Sequence, residues 1–321
     1  MTEQVTTPRS RPPAPASVSE LARRYPSIDS PFTDQAYPAP DDHEAWRRTV
    51  AEGDAQVRQM FESLAPPPDV LARADVEVAG VTTYVLTPTR VTLGPATPVI
   101  LDIDGGALVM GGGDLAWKMA ALPALEREAV TWVPDYRMPP DHPYPAALDD
   151  CVAVYRRLLE DRAPSRVVVR GASAGGNLAA ALLLRARDEG LPMPAALVLL
   201  TPELDLTESG DSFRTNLGID YMGSLMAANL LYAAGHDLSH PYLSPLFGDV
   251  TGFPPTFLQA GTRDLFLSNT VRMHRKLLAA GVPTELHVFE AMPHGGFGGH
   301  APEDQELRTA VRRFEERHLQ P

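Results

Sequence analysis

Between the apolar run VVVR and the helix-like run NLAAALLL lies GASAGG, Gly171 to Gly176. No other stretch restricts the fold as much. A strand that passes into a helix over G-x-S-x-G bends so sharply that its central residue, Ser173, projects over the sheet edge. The small flanking residues let the backbone make that bend. A serine wanted only as a helix cap would satisfy the first N–H groups of the helix, but it would not need this run of small neighbours.

The surrounding text fits such an elbow. AVTWVPDY, SRVVVRG, AALVLLTP, PTFLQAG and TELHVFE are strand-like. PAALDDCVAVYRRLLED, AGGNLAAALLLRARDEG, TVRMHRKLLAAG and EDQELRTAVRRFEERHL carry helical spacing. Strands alternating with helices predict a mainly parallel sheet covered on both faces. Upstream, ADVEVAG, VTTYVLTP and TPVILDID read as a β-meander. Residues 1–17 are expected to be a disordered tail and 18–321 a single α/β domain. A helical cap is expected from about 18–64 and from 207–242, where the α/β rhythm breaks into helical text rich in Met, Tyr and Leu.

A serine hydroxyl is a poor nucleophile until a base takes its proton and a carboxylate orients that base. In a fold with this elbow the chain order is serine, acid, histidine. His294, in PHGGF after the last strand-like run, is placed to swing over the sheet end. Asp264 stands just past PTFLQAG, and Asp205 in TPELDLT is its competitor one strand earlier. His236 and His240 flank the insert as pocket candidates. His300 near His294 lacks a third ligand for a metal, so no metal is expected.

The stretch LDIDGGALVMGGGD, Leu101 to Asp114, ends a strand in glycines. It lacks the lysine of a phosphate loop and has no G-x-G-x-x-G. Its bare N–H groups suit the developing oxyanion of acyl transfer, with Gly105 and Gly106 joining Ala174, the residue after the serine.

The net charge of −13 over 321 residues offers no basic surface for nucleic acid or anionic lipid. Cys151 is the sole cysteine, which excludes an internal disulfide and fits a reducing compartment. The opening MTEQVTTPRSRPPAPASVSE has no apolar signal segment, and a cytoplasmic location is expected.

Five stretches, DGGA, DYRMPPDHPYPAALDDC, GASAGGNLA, YLSPLFGDVTGFPPTFLQAGTRD and PHGGF, together resemble the bacterial hormone-sensitive-lipase family of α/β-hydrolase esterases. The resemblance implies the α/β-hydrolase fold, a triad of Ser173, Asp264 and His294, and an oxyanion hole of Gly105, Gly106 and Ala174. It also implies a small-molecule substrate, a short-chain ester or lactone, cleaved without cofactor, and is compatible with a homodimer through an edge strand. A small-molecule receptor, lyase or acyltransferase reusing the pocket is the alternative. Tyr221, Met222, Met226 and Phe297 are expected to line the substrate pocket.

The chain departs from the family where Asp104 replaces the usual His of the glycine motif, Ala107 its third Gly, and Ala172 the residue before the serine. Asp104 is expected to brace the loop, pointing away from the oxyanion and accepting bonds from loop N–H groups or a nearby Tyr or Arg. Such bonds would keep its pKa low.

Overall fold

The computed structural model describes residues 12–25, 37–61 and 66–319. An eight-stranded sheet runs in the order β1-β2-β4-β3-β5-β6-β7-β8. Its strands are β1 Leu71–Val78, β2 Val81–Pro88, β3 Val99–Ile103, β4 Val130–Pro134, β5 Val167–Ala172, β6 Ala196–Leu200, β7 Thr256–Gly261 and β8 Thr284–Phe289. The first two form an antiparallel hairpin, β2 meets β4 antiparallel, and the rest of the sheet is parallel.

That order corrects the expected meander. β3 does not follow β2 across a turn; it crosses over to lie between β4 and β5. The reason is burial, because all five residues of VILDI are buried and such a strand has to be interior. The helix Asp114–Leu125, α3, makes the return crossover to β4.

Alternation along the parallel strands feeds two apolar layers. Leu101, Ile103, Val167, Val169, Leu197 and Leu199 join the helices α4 (Ala146–Asp161), α5 (Ala174–Asp188) and α8 (Leu267–Ala279) on one face. Ile100, Val168, Ala196, Val198 and Phe257 meet α9 (Pro302–His318) on the other. Two charges are buried with them. Asp102 of β3 and Arg170 of β5 are register partners and pair at 2.9 Å, and neither is left alone at low dielectric.

Near the sheet's carboxyl ends, the helix His43–Phe61 contributes a fully buried Trp46. It packs with Val109 and Met110 of the glycine loop and with Ala228 and Leu231 of the helix Met226–Ala233. These segments are drawn from both stretches expected to form the cap. Part of the expected tail is held on the body instead. The Pro12 and Pro13 carbonyls accept from Arg263, and Ala14 packs beside Val18 and Ala291. Residues 1–11 lie outside the described residues.

Candidate active site

Ser173 caps α5 with φ 54° and ψ −123°. This left-handed backbone is costly for a side-chain-bearing residue and persists only where its surroundings impose it. The imposition is steric. A Cβ on Gly175 would lie 2.0 Å from the Ile103 carbonyl oxygen and 2.4 Å from that of Asp104, so the helix start presses against the end of β3. Ser173 N–H donates to the Leu200 carbonyl at 2.9 Å, and the Ser173 carbonyl accepts from Glu203 N–H at 3.1 Å.

Ser173 Oγ lies 3.0 Å from His294 Nε2, and His294 Nδ1 lies 3.1 Å from Asp264 Oδ1. An Nδ1–H donated to Asp264 leaves Nε2 free to accept the serine proton. His294 comes from the loop after β8 and Asp264 from the loop after β7, so three strand ends meet at one point. Phe266 stands edge-on to the imidazole, with ring centroids 4.9 Å apart. Burial works against a charge on His294. The charge and hydrogen bond of Asp264, supported by Asp220 and Glu203, outweigh it and raise the imidazole pKa.

Asp205 does not join this relay. It accepts from Thr207 N–H, the Thr207 and Ser209 hydroxyls and Arg272, and these bonds overcome its burial to hold its pKa down. It therefore ties the segment after β6 to α8. His236 and His240 are exposed and pack around Tyr144. His300 is exposed, and no group of three or more metal-binding side chains occurs among the described residues. Nor is any helix among them long and apolar enough to cross a membrane.

The glycine loop lies against the elbow. A Cβ on Gly105 would be 3.2 Å from Ser173 Cβ, and Gly106 has to be glycine because its φ is 138° and a Cβ there would lie 1.9 Å from the Met110 carbonyl oxygen. The Gly106 carbonyl accepts from Val109 and Met110 N–H at 3.0 Å, closing the turn.

Asp104 differs from expectation. Its Oδ2 lies beside Gly111, 3.3 Å from where a Cβ on that glycine would sit, and has no hydrogen-bond partner among the described residues. The Tyr136 hydroxyl braces the loop by donating to the Asp104 backbone carbonyl at 3.1 Å. Burial, reinforced by Asp135, Asp102 and Asp54, pushes the Asp104 pKa well above the carboxylate range. Its folded pKa exceeds its unfolded one, so its contribution to stability is full at low pH and is lost as pH rises. Asp104→Asn, a neutral isostere, should raise Tm relative to the parent at pH 8–9 and lose that advantage near pH 4. Thermal unfolding across pH checks the sign.

Of the four expected pocket residues, Tyr221 and Met222 pack beside Phe213, Leu225, Leu265 and Phe266, and the Tyr221 ring centroid lies 6.3 Å from that of His294. Met226 opens its helix half-buried. Phe297 instead belongs to a separate core patch with Val18, Ala22 and Met292, edge-on to Tyr25.

Two buried acids escaped the sequence reading. Asp220 Oδ2 accepts from Leu265 N–H at 2.8 Å, and Oδ1 accepts from Tyr221 N–H at 2.7 Å and His294 N–H at 3.3 Å. One carboxylate thus holds both the acid loop and the histidine loop. Burial and then the Asp264 charge raise its pKa to about 6. The other is Glu203, fully buried beside the elbow.

The model of a family described as the alpha/beta hydrolase fold matches residues 100–297. The chain belongs to that family. Carboxylesterase NlhH of Mycobacterium tuberculosis is 33% identical over 268 residues, 77% of this chain and 83% of its own. The crystal structure of an esterase superposes with a TM-score of 0.84 at 34% identity, covering 99% of each chain. An esterase from the bacterial hormone-sensitive lipase family gives 0.81 at 28% identity, covering 94% of this chain and 99% of the other.

Proposed function

We propose that this protein is a serine hydrolase that cleaves short-chain carboxylic esters through an acyl-enzyme on Ser173. The observation that carries the reading is the unbroken relay Ser173–His294–Asp264, with hydrogen bonds of 3.0 and 3.1 Å. Ser173 Oγ attacks the ester carbonyl as its proton passes to His294 Nε2. Asp264 orients the imidazole and stabilises the imidazolium. The N–H groups of Ala174, Gly105 and Gly106 face the forming oxyanion. His294 then gives the proton to the departing alkoxide, and water repeats the sequence to release the acid. A receptor would have no use for so complete a relay.

Short acyl chains fit the apolar walls. Ala107 packs with Tyr37 between Trp46 and Val109 on one side and Phe213 and Met222 on the other. Its methyl takes space that the family's glycine would leave open. Neutral esters with acyl chains of about two to six carbons are expected, a size suited to a compact apolar pocket.

An organophosphonate should label Ser173 in a peptide mass map. Ser173→Ala should cut turnover of nitrophenyl butyrate by roughly 10⁴- to 10⁶-fold. A label on another serine, or efficient cleavage of long-chain emulsified lipid in preference to butyrate, would sink the respective half of the reading.

A further inference from the structure

The loop that supplies the Gly105 and Gly106 N–H groups folds back on itself. The Gly106 carbonyl accepts from Val109 and Met110 N–H at 3.0 Å, and the chain at Gly111 returns against the start of the loop. Gly111 has φ 99°, and a Cβ on it would lie 2.8 Å from the Gly105 carbonyl oxygen. That oxygen belongs to the same peptide as the Gly106 N–H. The peptide is planar, with its C=O and N–H on opposite edges, so Gly111 rests behind an oxyanion donor.

What fixes Gly111 comes from outside the loop. Its N–H donates to Asp54 Oδ1 at 2.9 Å, across 57 positions of sequence. Asp54 lies on the helix His43–Phe61, within a stretch expected to form the cap. Trp46, Val50, Gly53 and Asp54 recur at the three-to-four spacing of one helix face, and that face meets the loop. Trp46 and Val50 pack with Val109 and Met110, and a Cβ on Gly53 would be 3.5 Å from the Met110 side chain. Among the described residues, the bond from Gly111 to Asp54 is the one hydrogen bond between this helix and the glycine loop. The loop's other ties leave Gly111 unheld. Asp104 Oδ2 makes no hydrogen bond, and Tyr136 holds only the Asp104 carbonyl at the opposite end.

We propose that Asp54 is a positioning residue for the oxyanion hole, a role that rests on the serine-hydrolase reading above. Through Gly111 it holds the Gly105–Gly106 peptide in place beside Ser173, and it makes the seating of the cap helix a condition of an ordered oxyanion hole. Asp54 touches no reacting atom. Its effect falls on donors whose bonds strengthen as charge develops on the ester oxygen, so loosening them costs more in the transition state than in the ground state.

The test uses the intact enzyme and two ketones of similar size. Propyl trifluoromethyl ketone takes up Ser173 Oγ at its carbonyl carbon while the serine proton passes to His294, and its oxygen becomes an anion facing the Ala174, Gly105 and Gly106 N–H groups. Propyl methyl ketone enters the same pocket without acquiring that charge. In Asp54→Ala, kcat for nitrophenyl butyrate should fall roughly 10- to 100-fold, less than outright loss of a donor costs. Ki for the trifluoromethyl ketone should rise by the same factor, while Ki for the methyl ketone stays within about twofold. Asp54→Leu, which keeps the bulk and loses the acceptor, should repeat the pattern. Asp54→Asn keeps one oxygen for Gly111 N–H and should hold kcat to within about fivefold of the parent. The two Ki values are compared within one preparation, so partial misfolding of a variant does not imitate the effect.

An unchanged kcat and trifluoromethyl ketone Ki in the Ala and Leu variants overturns the proposal. So does equal weakening of both ketones, which would confine Asp54 to the stability of the pocket wall, and so does an Asn variant as slow as the Ala one. Phosphonate labelling of Ser173 separates these outcomes from failure of the parent reading. A parent that labels at Ser173, beside variants that lose nothing, refutes only the role of Asp54. A parent that neither labels nor binds the trifluoromethyl ketone more tightly than the methyl ketone refutes the nucleophile.

Discussion

Asp264→Asn should lower kcat for a short-chain ester by roughly 10³- to 10⁴-fold, with little change in KM and a folded protein. The size of the effect follows from what the carboxylate does. Asp264 Oδ1 accepts from His294 Nδ1 at 3.1 Å and from Phe266 N–H at 2.9 Å. An amide in its place turns either an oxygen or an NH₂ toward the imidazole. The NH₂ face stabilises the tautomer that carries its proton on Nε2, and that tautomer cannot accept from Ser173. It also removes the negative charge that steadies the imidazolium while the transition state forms. Asn216 Nδ2 still holds the Asp264 carbonyl at 2.9 Å, so the loop keeps its place.

Asp205→Asn is the control. It replaces Oδ2, which accepts from Arg272 and the Ser209 hydroxyl, keeps an oxygen for Thr207, and should cost roughly 1–3 kcal/mol of stability, with the relay intact. Because Asp205 has a lowered folded pKa, the stability it contributes is present above its unfolded pKa and is lost as pH falls through the folded one. The contrast is read from kcat and Tm measured on the same two preparations. An inactive, well-folded Asp205 variant beside an active Asp264 variant would reverse the assignment of the acid.

The relay could be read from sequence because each of its parts ends a recognisable element. Ser173 follows β5 at a strand-to-helix bend, Asp264 follows β7 and His294 follows β8, and the strands themselves were visible as apolar runs. Strand order was less legible. Nothing local in VILDI distinguishes a third meander strand from an interior parallel one; the difference lies in α3 and in what covers both faces of β3. Asp220 and Glu203 were harder still, since a lone acid between apolar residues has no periodicity. Their roles come from Leu265, His294 and Ser173, residues 45, 74 and 30 positions away in the chain. Asp104 shows a further limit. The sequence located it beside the oxyanion loop, but the rise in its pKa comes from burial and then from the charges of Asp135, Asp102 and Asp54, which only the fold brings to bear on it.

Asp220→Asn should lower kcat by roughly 10- to 100-fold and shift the acid limb of the kcat/KM profile to lower pH. Both effects arise from one carboxylate. Asp220 receives three backbone N–H groups, from Leu265, Tyr221 and His294. An asparagine offers one oxygen and turns an NH₂ toward N–H donors it cannot accept from. The acid and histidine loops then lose their common anchor, and a relay built on bonds near 3 Å tolerates little displacement. The pH effect has a separate origin. The Asp220 charge helps to raise the His294 pKa, so its removal lets the imidazole lose its proton at lower pH, and the active neutral form persists further into acid. Asp220 itself takes up a proton at about pH 6. In the parent, protonation of Asp220 removes charge that favours the imidazolium, so the two uptakes oppose each other and broaden the acid limb; in the variant the limb should sharpen toward a single protonation. A structural role alone would depress the rate equally at every pH and leave the limb where it was. That outcome, with the fold intact by circular dichroism, would remove Asp220 from the electrostatics of the site and leave it only as a tether.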